Sequence, residues 1–237
     1  MDLFSPLQPW LDRKAHEPPF RDITDLELDA DTGCAVILDG WVPIHEALSL
    51  QPQSLSLSWH SQRAYVKAAC EVILAESPLA LDREEPGMIT RKLGPPPKQA
   101  YPLYFITTKR ADEDEKIVYI GKTSSKSSRF VGGHAAITKL HAPQFDGVEK
   151  RLHLGCVTFV DKEWEYVPLE MVQPLVSAKK LLSDLEMQLI YHFQPVLNRA
   201  GKTTRLSKLE QIIHVQGITQ GGKDYWLYPG ETYAHDR

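Results

Sequence analysis

The sequence predicts an α/β fold in which a three-stranded sheet is flanked by helices and preceded by an N-terminal α/β extension. Three observations carry this expectation. Two runs rich in β-branched and aromatic residues, "YPLYFITT" (101–108) and "KIVYIGK" (116–122), are joined by the charged "KRADEDE" and read as a hairpin. A later run, "RLHLGCVTFVD" (151–161), supplies a third strand. The segment "VSAKKLLSDLEMQLIYHF" (176–193) has apolar residues at helical spacing and stops before Pro195. With "GGHAAITKLHA" (132–142) opening a helix after two glycines, the order is β-β-α-β-α, which suits helices packed on a small sheet.

The N-terminal part is read in chain order. Residues 1–30 are rich in Asp, Glu and Pro with little periodicity, so a loosely packed start is expected. "CAVILDGWVPI" (34–44) reads as a strand and turn. From Ser58, a candidate N-cap, the next eighteen residues place Val66, Ala69, Cys70 and Ile73 on one helical face. Residues 83–102 then hold five prolines and two glycines, which predicts an extended connector. The expected organisation is an N-terminal extension over 1–95 for DNA recognition, dimerisation or partner docking, a central domain over 96–200, and a basic C-terminal tail over 201–237.

Bulk properties narrow the function classes. A chain of 237 residues with 42% hydrophobic content can bury a substantial core. No run approaches the roughly 20 apolar residues of a membrane-spanning helix, and "MDLFSPLQPWLDRK" lacks the basic-then-apolar order of a secretion signal; a cytoplasmic protein is expected. The three cysteines, Cys34, Cys70 and Cys156, are scattered singly, as free thiols are. The net charge of −4 argues against a nucleic-acid partner until it is resolved along the chain. Residues 120–151 hold six basic and two acidic side chains, and residues 199–223 five and one, so each stretch carries +4.

"IVYIGKTSSKSSRFVGGH" (117–134) concentrates the candidate chemistry. Gly121-Lys122-Thr123 looks like the end of a phosphate-binding loop, but that loop needs glycine at 116, where Lys116 stands. A strand therefore delivers Tyr119, Gly121 and Lys122 into a Ser-rich turn. Lys122, Arg129 and His134 are either exposed loop residues or three groups facing one anionic site. Tyr104 and Tyr119 sit on the paired strands, where tyrosine serves packing or chemistry. On the long helix, at about 100° per residue, Leu182, Leu189, Ile190 and Phe193 all fall within roughly 60° of Glu186. A carboxylate in an apolar stripe needs a cation, either a Lys or Arg from the sheet or a metal such as Mg²⁺. Lys180, Asp184 and Gln188 lie on the polar face. Asn198 has a turn-shaping role as its ordinary reading.

"PLY" (102–104), "YIG" (119–121) followed by Lys122, then Arg129, Glu186 in a later helix and P-x-x-N (195–198) together resemble the GIY-YIG nuclease domain over about residues 101–200. Two departures are visible: Pro102-Leu103 stand where the family has Gly-Ile, and the loop between the motifs is longer. The resemblance implies a GIY-YIG-like core and hydrolysis of a DNA phosphodiester with one divalent metal. By that resemblance Glu186 would hold Mg²⁺ or Mn²⁺, Arg129 would stabilise charge on the phosphoryl oxygens, and Tyr104 would be the favoured general base. Lys122 would favour its phenolate, Tyr119 would orient or share that role, His134 would contact phosphate or assist proton transfer, and Asn198 would brace the site. The implied partner is double-stranded DNA, with a homodimer for double-strand cutting. A restriction-type enzyme, a repair or structure-specific nuclease, and an inactive nucleic-acid-binding module are the functions this pattern allows.

Overall fold

The computed structural model describes residues 4–26, 28, 32–123, 134–160, 164–203, 207–217 and 225–227. The chain opens with α1 (Gln8–Leu11), one turn whose apolar side is buried. Leu7, Trp10 and Leu26 are inaccessible to solvent, and the Trp10 indole donates to the Leu79 carbonyl. Within the expected loose start the described turn is thus packed, because Leu7, Trp10 and Leu11 recur at three- and four-residue spacing. Next come β1 (Arg21–Asp22), β2 (Gly33–Pro43) and α2 (Leu55–Ile73). Ser54, not Ser58, caps α2: its hydroxyl accepts the Leu57 N–H, while Ser58 lies inside the helix and donates to the Lys98 carbonyl.

The expected connector contains a helix, α3 (Glu85–Leu93). Pro86 stands in its first turn, where a missing N–H goes unnoticed, and Gly94 ends it at φ 80°. The hairpin follows as β3 (Leu103–Lys109) and β4 (Lys116–Lys122). After it come α4 (Ala135–Lys139), β5 (Glu149–Val160), β6 (Tyr166–Pro168), β7 (Val172–Gln173), α5 (Leu175–Phe193), β8 (Ile212–Gly217) and β9 (Tyr225–Leu227). The helix expected over 132–142 is the shorter α4, with residues 132 and 133 outside the described set.

The sheet is larger than the three strands expected. Seven strands run β4-β3-β5-β2-β8-β9, with β6 also on β5, and β1 pairs with β7 separately. The twelve residues of β5 explain the extension. Along one edge β5 takes β3 and β6, and along the other it takes the eleven-residue β2. Strands from before and after residue 96 therefore share one sheet, and β8, from beyond residue 200, lies parallel to β2.

Both faces of the sheet are covered. One carries Leu103, Phe105 and Ile120 against α5 and α2; the other carries Tyr104, Ile106 and Leu154 with Ala136 and Leu140 around α4. Burial on both faces is why β3 reads as an unbroken apolar run. Each fully buried Leu or Phe here is worth about 1.5–3 kcal/mol relative to exposure. Among the described residues, no helix is long and apolar enough to cross a membrane.

Candidate active site

The β3–β4 register sets the positions of the motif residues. Tyr104 is opposite Gly121 and Ile106 is opposite Tyr119, after which the register slips so that Thr107 meets Ile117. Val118 is the extra residue of this bulge. Cross-strand partners share a face, so Tyr104, Tyr119 and Gly121 share one, while Ile120 and Lys122 point to the other. The Tyr104 and Tyr119 ring centroids are 5.9 Å apart. Gly121 makes this possible: a Cβ there would lie 2.5 Å from Tyr104 Oη and 2.8 Å from Tyr119 Cε1. No side chain fits.

His134 completes this group. Its ring meets both phenol rings edge-on, at 5.6 and 5.3 Å between centroids. Nδ1 accepts the Ala136 N–H at 3.2 Å, capping α4. In the neutral ring the proton is then on Nε2, which stands 2.7 Å from Tyr104 Oη. The imidazole then donates and the phenol oxygen accepts.

Lys122 reaches the other side of β4. Its Nζ lies 3.0 Å from Glu186 Oε2 and donates to Ser183 Oγ at 2.9 Å. Ser183 is three residues before Glu186 and so on the same face of α5. The expected support of a phenolate by Lys122 is replaced by this ion pair, and the donor to Tyr104 is His134. The Glu186 side chain is 18% exposed, and no described donor reaches its Oε1.

Asn198 sits on the edge between the two groups. Its side-chain amide donates to the Ile120 carbonyl at 2.8 Å and its Oδ1 accepts the Ile120 N–H at 2.9 Å. The Leu197 N–H bonds the carbonyl of the bulged Val118. Residues 197–198 thus satisfy the outward-facing groups of β4 as a neighbouring strand would.

An open cleft of about 530 Å³ adjoins this edge, lined by Tyr119, His134 and Asn198 among others. Tyr104 is fully buried and does not line it. The phenol favoured from sequence as general base is thus behind the cleft wall, and Tyr119 is at its surface. The cause is strand order: β3 is sandwiched between β4 and β5, whereas β4 ends the sheet.

The sequence-predicted residues therefore form two groups rather than one: Tyr104, Tyr119 and His134 on one face of β4, Lys122 and Glu186 on the other, with Asn198 between. Arg129 lies outside the described residues. Gly121 and Ser183 were missed as site residues; the Tyr104–Gly121 pairing and the three-residue offset from Glu186 are the signals that find them. Among the described residues, no three His, Cys, Asp or Glu side chains cluster as a ready metal site. The carboxylate of Glu186, with one oxygen on Lys122 and no described donor on the other, suits an ion that takes a single protein oxygen and completes its shell with water and phosphate. Comparison of the chain with protein-family models, with curated proteins and with solved structures finds no match.

Proposed function

We propose that this chain is a metal-dependent endonuclease of GIY-YIG type that hydrolyses phosphodiester bonds in double-stranded DNA. The observation that carries the reading is the convergence of Tyr119, His134 and Asn198 on one cleft at the end of the strand whose Lys122 pairs with Glu186. Because the two groups lie on opposite faces of β4, this reading requires one backbone phosphate to reach both across the Gly121 end of the strand. Glu186 would hold Mg²⁺ or Mn²⁺, whose chemistry there would be Lewis-acid stabilisation of developing negative charge on the phosphate. In this reading Tyr119, which lines the cleft, takes the proton of an attacking water, and Tyr104 is a positioning residue that fixes the His134 ring from behind. Lys122 orients the Glu186 carboxylate, and Arg129 retains the phosphate-stabilising role that the motif order implies.

The test is incubation of the purified chain with supercoiled plasmid and Mg²⁺, beside Glu186→Ala. Cutting by the wild type alone is the expected result; equal cutting by both overturns the assignment. A second reading, a non-catalytic nucleic-acid-binding module, is favoured by one observation: Lys122 already compensates Glu186 without a metal. Duplex binding with no cutting under Mg²⁺ or Mn²⁺ would select it. A repair or structure-specific nuclease is distinguished by preferential cutting of branched or damaged duplexes.

A further inference from the structure

We infer that the cleft beside Tyr119 and His134 is a binding site for the phosphodiester backbone of duplex DNA flanking the cut bond, held by Lys139 and Arg199. The inference rests on the nuclease reading and adds two residues outside the motif set. Both residues line the cleft, whose lining includes no carboxylate among the described residues. The chain as a whole carries −4, so an acid-free concave surface with two cations is a departure from the average.

Neither cation has an ion-pair partner among the described residues. Within that set some basic residues of the fold are matched, such as Arg21 with Glu17 and Glu165 and Arg151 with Glu115 and Glu149, and others, such as Lys67 and Lys180, are not; Lys139 and Arg199 are set apart by sharing one cleft. An arginine offers a fork suited to two phosphate oxygens and a lysine a compact point charge, so the pair matches a polyanion. Ala135 and Ala136 keep the wall between them low. The cleft volume is within the roughly 300–1,000 Å³ of ordinary ligand sites.

The two cations are also tied to the candidate site. Lys139 ends the helix that His134 caps, and Arg199 follows Asn198, whose side chain is bonded twice to Ile120. What places the imidazole and the amide therefore places the ammonium and the guanidinium. Backbone bound here would lie in the cleft that Tyr119 lines.

The experiment is fluorescence anisotropy of a short duplex with the full chain, without divalent metal, across a salt series. Each phosphate contact contributes about 0.9 to the slope of log K against log salt. Lys139→Gln with Arg199→Gln is expected to flatten the slope by about 1.8 and to weaken binding about tenfold or more at physiological salt, with little difference between duplex sequences. Lys14→Gln, on an exposed lysine paired with Asp12, is expected to change neither. Thermal melts of the variants report that the fold is kept. An unchanged slope in the double variant, or no duplex binding by the wild type, overturns the inference. The nuclease reading fails separately, by absence of Mg²⁺-dependent plasmid cutting in the wild type.

Discussion

His134 Nε2 and Tyr104 Oη are 2.7 Å apart, and the Ala136 N–H on the opposite ring nitrogen makes the imidazole the donor. The buried phenol thus fixes the face that His134 turns toward the cleft, and the half-buried phenol that lines the cleft is Tyr119. Tyr119→Phe is expected to slow plasmid cutting by about 10²- to 10⁴-fold, the range for loss of a proton acceptor. Tyr104→Phe keeps the ring and removes only the acceptor, so it is expected to slow cutting less. Single-turnover rates check the order, and the reverse order would return the role of base to Tyr104.

Gly121→Ala tests the contact between the strands. The added methyl overlaps Tyr104 and Tyr119, and both rings are held by neighbours. Overpacking of this kind destabilises by about 1–3 kcal/mol. Urea unfolding should show that loss, and cutting should fall even where the fold survives, because both phenols move.

Glu186→Gln separates chemistry from stability. The Lys122–Glu186 pair is partly exposed, so its loss is expected to change unfolding free energy by only about 1 kcal/mol or less. Metal-dependent cutting should disappear. A large loss of stability with retained cutting would make the carboxylate structural.

Two carboxyls away from the cleft set opposite slopes of stability with pH. Glu170 is buried beneath the connector, where desolvation raises its carboxyl to about 7 against the lowering effect of the Ala100 N–H. Between about 4.5 and 7 the folded chain holds this proton and the unfolded chain does not, so stability falls as pH rises, by about 3 kcal/mol in all. Burial also pushes the Glu115 carboxyl up, but hydrogen bonds from His153 and Thr107 and the charges of His153 and Arg151 outweigh it and hold it at about 2. Its contribution is present above about 4.5 and is lost as pH falls toward 2. Taken together, these two groups place maximum stability near pH 4.5. Glu170→Gln keeps an acceptor for Ala100 and should abolish the decline toward neutral pH in thermal melts.

Asn198→Ala leaves the Ile120 N–H and carbonyl without their partner. Two hydrogen bonds at a partly buried edge are worth about 1–3 kcal/mol together. Chemical unfolding measures the loss, and Asn198→Asp, which keeps an acceptor but no donor, should fall between.

The sheet hairpin was legible because β3 is buried on both faces and so reads as one apolar run. The setting of Glu186 was legible only in part: Leu182, Leu189 and Ile190 are buried and Lys122 meets the carboxylate, but Gln188, assigned to the polar face, is buried too, and Glu186 lies at the flank of the apolar stripe with its side chain 18% exposed. The sequence was misread at Pro86, taken as a breaker although a first-turn proline favours a helix. The pairing of β8 with β2 joins residues some 180 positions apart and leaves no local periodicity to read. The different exposure of Tyr104 and Tyr119 follows from which strand ends the sheet, a property of long-range order that neighbouring residues do not encode. Gly121 looked like a motif letter, and only the cross-strand register gives it a steric reason.

The bonds from residues 197–198 to Val118 and Ile120 close the centre of β4 to any added chain. Two copies of this protein cannot merge their sheets at that margin, and the same closure protects the hairpin from templating aggregates. A pair of subunits acting on opposite strands of a duplex would have to meet away from this margin.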